Sequence, residues 1–214
     1  MKKVIALLLC AVALVGLLAG CNKNKADETT LSTEYLVEST PAGTLYLTFG
    51  AMIEVVYDAD GNALHIAGKN DAGKTIAKAC QNQLNQDCVF AARAMLRYAS
   101  DNKLFGDAKT VAVRLGKTDP MPTTDFLETI ITDCQYLLDE ECTGLKMIRI
   151  SDERLDEDAK VNLDCAKILA SYYLGAPTSE LSGGEVPLNG VYTITTADGK
   201  SCTVDAFNGL VVGK

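Results

Sequence analysis

From residue 44 onward the apolar positions follow two spacings. Thr44–Phe49, "TLYLTF", and Met52–Tyr57, "MIEVVY", are short, β-branched or aromatic runs. "DADGN" follows with Asp60-Gly61 at its centre, and Ala63–Ala67, "ALHIA", returns. This pattern predicts a β-meander whose last two strands form a tight hairpin. From Cys88 the spacing changes. Cys88, Ala91, Ala92, Met95, Leu96 and Ala99 fall on one face of a helix. Lys109–Leu115, "KTVAVRL", predicts a strand. Pro122-Thr123-Thr124 opens a second helix, with Phe126, Leu127, Ile130, Ile131, Cys134, Leu137 and Leu138 as its buried stripe. Leu145–Ile150 predicts another strand. Ser151 and the acids after it favour a helix start through capping and the N-terminal dipole. Val161, Cys165, Ile168, Leu169 and Tyr172 line the third helix, which Gly175-Ala176-Pro177 stops. "SGGEVPLNG" predicts a loop. The tail predicts a hairpin turning at Asp198-Gly199, with a second break at Asn208-Gly209. The predicted order is β-β-β-α-β-α-β-α-β-β. That order makes an α+β fold, a mixed or antiparallel sheet with about three helices packed on it.

The first 43 residues follow neither spacing. Met1-Lys2-Lys3 leads into an apolar run from Val4 to Leu18, then Leu18-Ala19-Gly20-Cys21 and a polar segment. A basic start, a short apolar core and small residues before a Cys match a bacterial lipoprotein signal. The apolar run is shorter than the ~20 residues a membrane span needs. The expectation is therefore a signal peptide at 1–20, a lipidated Cys21 opening a tether over 21–43, and one globular domain over 44–214. A lipid-anchored position on the extracytoplasmic face of the cell membrane follows. The chain carries 20 Lys and Arg against 28 Asp and Glu, a net charge of −8. Losing Lys2 and Lys3 with the signal makes it more acidic still. That balance argues against nucleic acid as a partner.

Cys10 leaves with the signal, and six cysteines remain beyond Cys21: Cys80, Cys88, Cys134, Cys142, Cys165 and Cys202. An even number in an exported chain predicts disulfides. Two pairs share the spacing C-x7-C, "CQNQLNQDC" and "CQYLLDEEC". Eight residues of unbroken helix would hold the Cα atoms ~12 Å apart, and a disulfide needs ~4.4–6.8 Å. Bridging either close pair therefore requires the chain to bend between its members. Bridging both would leave Cys165 with Cys202, one of fifteen formal pairings. Zinc is the rival, but it favours ligands two to four residues apart, and His65 is the only histidine.

Gly68–Thr75, "GKNDAGKT", fits the phosphate-binding pattern G-x4-G-K-S/T through Gly68, Gly73, Lys74 and Thr75. A nucleotide site needs a parallel strand before the loop and a long helix after it. Here the strand is the return arm of a hairpin, and "QNQLNQD" soon interrupts the helix. The expectation is a chance match, in which Gly68 and Gly73 bracket a turn and Asp71 helps start a helix. His65, between Leu64 and Ile66, is expected on a sheet face rather than in a catalytic triad. Asp58, Asp60 and Asn62 resemble the start of a calcium loop, but Gly61 is at the wrong position and Lys69 stands where the bidentate Glu belongs. The acids from Asp152 to Asp158 are expected on a solvated helix start. No cofactor and no metal site are expected.

"YDADGNALHIAGKNDAGKTI", "FAARAMLRYASDNKLFGDAKTVAVRL" and "RISDERLDEDAKVNLDCAKILASYYLGAP" resemble the extracytoplasmic middle domain of RsgI-like anti-sigma factors, over roughly Leu45 to Pro177. "ADGKSCTVDAFNGLVV" is similar to the closing hairpin of PepSY-type domains. The resemblance implies a non-catalytic module that binds or senses a protein or peptide at the cell envelope. Where that family has an Asn-Pro pair at which some members cleave themselves, this chain has Gly50-Ala51, so self-cleavage is not expected. Cys21 replaces the family's sigma-binding segment and spanning helix. The alternative is an envelope hydrolase that uses carboxylates in a groove.

Overall fold

The computed structural model describes residues 39–141, 143–184 and 190–213. The chain divides into Met1–Leu36, which lies outside those residues, and Val37–Lys214. The fold of the second unit is α+β, with four α-helices and two sheets among the described residues.

β1 (Gly43–Thr48), β2 (Met52–Tyr57) and β3 (Ala63–Gly68) form the expected meander. Asp58 closes the hairpin turn, accepting from the amides of Asp60 and Asn62, and Gly61 supplies the positive φ of 86°. Two short helices follow where the sequence reading counted one. They are α1 (Asp71–Ala79) and α2 (Cys88–Asp101). Cys80 ends α1, a 3-10 turn spans Gln81–Gln83, and Asn85 takes a positive φ before Asp87 caps α2. β4 (Thr110–Leu115) then pairs antiparallel with β1, and α3 (Phe126–Glu140) crosses over to β5 (Lys146–Arg149), which lies parallel to β4. The resulting sheet has the order β3-β2-β1-β4-β5.

Alternation along these strands separates two faces. Leu45, Leu47, Ile53, Val55, Val111 and Val113 pack with α1, α2 and α3 in the larger core cluster. The stripe read on α2 is its buried face, residue for residue. On α3 the same holds except for Ile131, which is half-buried. Arg93 of α2 grips both carboxylate oxygens of Asp133 on α3, each at 3.0 Å.

The third helix of the sequence reading starts later than expected. Asp152–Arg154 is a 3-10 turn, and α4 runs Leu163–Leu174 with the Asn162 side chain accepting from the amide of Cys165. Gly175, at φ 67°, ends it as expected. Leu181–Gly183 forms β6, taking in Ser182 and Gly183 from the segment read as loop. Together with β7 (Val191–Thr196), β8 (Ser201–Asp205) and β9 (Val211–Gly213) it makes a separate antiparallel sheet of order β6-β7-β8-β9. α4 touches all four of these strands and also β4. It is sandwiched in a second core cluster with Ala112, Ile148 and Ile150 from the outer face of the larger sheet. The smaller sheet therefore covers the β4–β5 end of that outer face.

Both edges of the larger sheet are closed by other parts of the chain. At β3, Ala63 exchanges backbone bonds with Asn85 and Gln86, and the Gln81 side chain reaches the Ile66 carbonyl. At β5, the Gln135 side chain stands in for a strand: it accepts from the Met147 amide at 2.8 Å and donates to the Leu145 carbonyl at 3.2 Å. An edge with its backbone groups engaged does not template pairing with another chain.

Candidate functional site

The outer face over β1, β2 and β3 is the part of the larger sheet that the second core leaves uncovered among the described residues. The strand register sets its side chains in rows. Arg114 lies opposite Tyr46, Tyr46 opposite Glu54, and Glu54 opposite Ala67. One row on, Val56 lies between Thr44 and the exposed His65. Tyr46, Met52, Glu54 and Val56 are half-buried. The Arg114 guanidinium lies 4.1 Å from the centre of the Tyr46 ring, a cation–π contact. Lys69 pairs with Glu54 at 2.8 Å.

Arg114 sits where this face meets the smaller sheet. Only 9 % of it is exposed. Its Nη1 donates to the Leu115 carbonyl at 3.2 Å and its Nη2 to the Phe207 carbonyl at 3.4 Å. Burial pulls its pKa below the ordinary arginine value, against the opposing pull of Tyr46, Glu54, Asp119 and Asp152. The turn that reaches it, between β8 and β9, carries Phe207, whose ring is exposed. Gly209 lets that turn settle against α4 and β5, since a Cβ there would lie 3.1 Å from Leu169 and 3.3 Å from Ile150. On the other side, Lys117 donates to the Asp156 carbonyl. Lys160 pairs with Asp158 and lies 5.4 Å from the Phe207 ring. Gly116 has no Cβ, which leaves room for the Asp119 carboxylate to accept from the Thr44 amide at 2.7 Å.

The phosphate-loop match has a packing explanation. Asp71 begins α1 as expected, and Asn70 caps it: its Oδ1 accepts from the amides of Gly73 at 2.8 Å and Met52 at 3.1 Å, and its Nδ2 donates to the Gly50 carbonyl at 3.0 Å. A Cβ on Gly68 would lie 2.0 Å from the backbone of Gly73, and one on Gly73 would lie 2.2 Å from the Met52 carbonyl oxygen. The two glycines let α1 press directly on β2 and β3. Lys74 is exposed and 3.9 Å from Asp71, while the Thr75 hydroxyl donates back to the Asp71 carbonyl.

The other candidates are dispersed. His65 is exposed on the outer face, as read. Asp58 spends its carboxylate on the Asp60 and Asn62 amides and the Asn62 side chain, so "DADGN" is a turn. Asp156 likewise accepts from the amides of Asp158 and Lys160. An open groove on the surface of α3 carries Asp125, Glu128 and Asp133 beside the exposed Tyr136. These acids lie along a single helix and its N-terminal cap, and Asp133 is already held by Arg93. A cavity of about 10 Å³, room for one water, lies between Thr48 and Tyr173 at the junction of the two sheets. No cluster of three or more His, Cys, Asp or Glu suited to a metal occurs among the described residues.

Cys80, Cys88, Cys134, Cys165 and Cys202 are buried free thiols, where their even number in an exported chain led to an expectation of bridges. The chain does bend between Cys80 and Cys88, as a bridge would need, but both thiols pack into the helix-side core unjoined. α3 carries Cys134 and runs unbroken to Glu140. Cys142 lies outside the described residues, as does Cys21. Burial raises the thiols of Cys80, Cys165 and Cys202 to about 11 and those of Cys88 and Cys134 to about 12, the latter two helped by Asp87 and Asp133. At neutral pH they are protonated and weakly nucleophilic.

Arg114 is the residue that sequence reasoning missed. The available signal was a charge inside an apolar strand, "TVAVRL". No protein-family model and no curated protein matches this chain.

Proposed function

We propose that the chain is a non-catalytic, extracytoplasmic lipoprotein, held to the membrane by lipid on Cys21, whose RsgI- and PepSY-like α+β domain binds a protein or peptide at the cell envelope. The observation that carries the binding reading is the outer sheet face: three strands of half-buried aliphatic, aromatic and charged side chains, bounded on one side by the smaller sheet, with a desolvated arginine at the corner. A sheet face with mixed apolar and charged rows suits a macromolecular surface better than a small substrate. The sequence signal before Cys21 carries the anchoring part of the reading. Among the described residues no helix is long and apolar enough to cross a membrane.

Two experiments test this. The full chain and a Val56→Arg variant are immobilised and exposed to envelope extract. The expected result is a reproducible partner that the variant loses. No partner, or one held equally by both, rejects the face as the binding surface. Separately, labelled palmitate is expected to enter the wild-type chain and not Cys21→Ser. Equal labelling of the two, or none in either, rejects the anchor.

A further inference from the structure

Two cations lie three positions apart at the corner of the open face, Arg114 in β4 and Lys117 just past its end, and no ion pair among the described residues includes either. Arg114 is nine-tenths buried, and its side-chain hydrogen bonds go to the Leu115 and Phe207 carbonyls. Lys117 is half-buried and donates to the Asp156 carbonyl. This is notable in a chain with net charge −8. The nearby acids are engaged elsewhere: Glu54 by Lys69, Asp119 by the Thr44 amide, and Asp158 by Lys160. Glu54, Asp119 and the exposed Asp152 act on Arg114 through space without forming an ion pair with it. A desolvated charge gains most from a counter-ion brought to it, and the planar guanidinium has N–H groups to offer a carboxylate beyond those two carbonyls. Apolar surface adjoins Arg114 at Tyr46 and Phe207, and Val56 continues it one row along the open strands.

We infer that this corner receives the acidic side chain of an extended peptide segment lying across the open strands, with the carboxylate against Arg114 and Lys117 and flanking apolar residues on Tyr46, Val56 and Phe207. This rests on the binding reading above and adds the chemistry of what is bound. The strands beyond the corner offer length that a free small acid would leave unused.

The probe is a bead-displayed library of N-acetylated heptapeptides, variable at every position, presented to the labelled full chain in detergent. Sequenced hits are expected to be enriched in Asp or Glu at one position. A resynthesised hit is expected to bind about tenfold more weakly when that acid becomes its amide. Arg114→Gln and Lys117→Gln are each expected to abolish the enrichment. Arg114→Gln disturbs the junction of the sheets, so Lys117→Gln with an unchanged melting curve keeps the test decisive. Beads bound without acidic enrichment, or enrichment that survives in a folded Lys117→Gln chain, overturn this inference and leave peptide binding standing. No bead bound above background overturns both.

Discussion

Replacing Gly73 with alanine sets two known effects against each other. In an exposed helix the change stabilises by about 1 kcal/mol, because alanine loses less chain entropy. At Gly73 the added Cβ would lie 2.2 Å from the Met52 carbonyl oxygen and 3.0 Å from the Asn70 Oδ1. The first is a backbone atom inside β2, so no side-chain rotation relieves it. α1 has to lift by about 1 Å, and moving a packed backbone to fit one methyl costs about 1–3 kcal/mol. The lift also stretches the Lys69 amide bond to the Met52 carbonyl, at 2.9 Å, and the Met52 amide bond to Asn70. Each is worth about 0.5–1.5 kcal/mol. The net expectation for Gly73→Ala is a loss of about 3 kcal/mol, or roughly 6–12 °C in Tm for a domain of this size. Urea unfolding followed by circular dichroism measures it. Gly184→Ala, where nothing lies within 4 Å of the new methyl, is the control and should change stability by less than about 0.5 kcal/mol. A Gly73→Ala chain as stable as wild type or more so would refute the packing account of the glycine loop.

Asn70→Ala removes two acceptor bonds and one donor bond at once and should cost about 2 kcal/mol in the same assay. Asn70→Asp keeps the cap and loses only the bond to Gly50, so it should cost less. Gln135→Ala unpairs the Met147 amide and the Leu145 carbonyl at the β5 edge, and sedimentation should show concentration-dependent association that the wild type lacks. Raised acid groups set the alkaline limit of stability. Burial, aided by Asp119 and Cys88, moves Tyr57 from 10.0 to about 12, and burial moves Cys80, Cys165 and Cys202 from 9.0 to about 11. Because the folded chain holds these protons longer than the unfolded one, their contribution is complete below about pH 9 and is lost as pH rises through 11 to 12. The urea midpoint should fall across that window; a flat midpoint contradicts the burial of these groups.

How far the sequence could be read depended on whether a residue's neighbours lay on its own element. α2 was legible because its face is set by helical spacing alone, and Cys88 through Ala99 are buried as that spacing requires. The β2–β3 hairpin was legible from Asp60-Gly61, and the end of α4 from Gly175. β4 was harder. All six of its residues are buried because α4 covers the face that the other helices do not, and nothing local to "TVAVRL" announces that. β6 has no strand signature in "LSG"; it exists because β7 offers it a partner. The split into two sheets is likewise a matter of non-local pairing. The start of α4 was misplaced because the acids after Ser151 favour any helical turn, and a 3-10 turn uses them before Asn162 supplies the true cap. At the open outer face, the strands were read, and His65 was placed on a sheet face. Arg114 acquires its meaning only when the turn carrying Phe207, ninety-three positions away, folds over it.

The account stands most directly on where a partner touches the chain in living cells. A photo-crosslinking amino acid placed in turn at Val56 and His65 on the outer face, and at Lys78 and Glu128 on the helix side, reads this out as adducts on a denaturing gel. Adducts at Val56 and His65, absent at Lys78 and Glu128, are the predicted result. Adducts confined to the helix side, or none at any position, would contradict it.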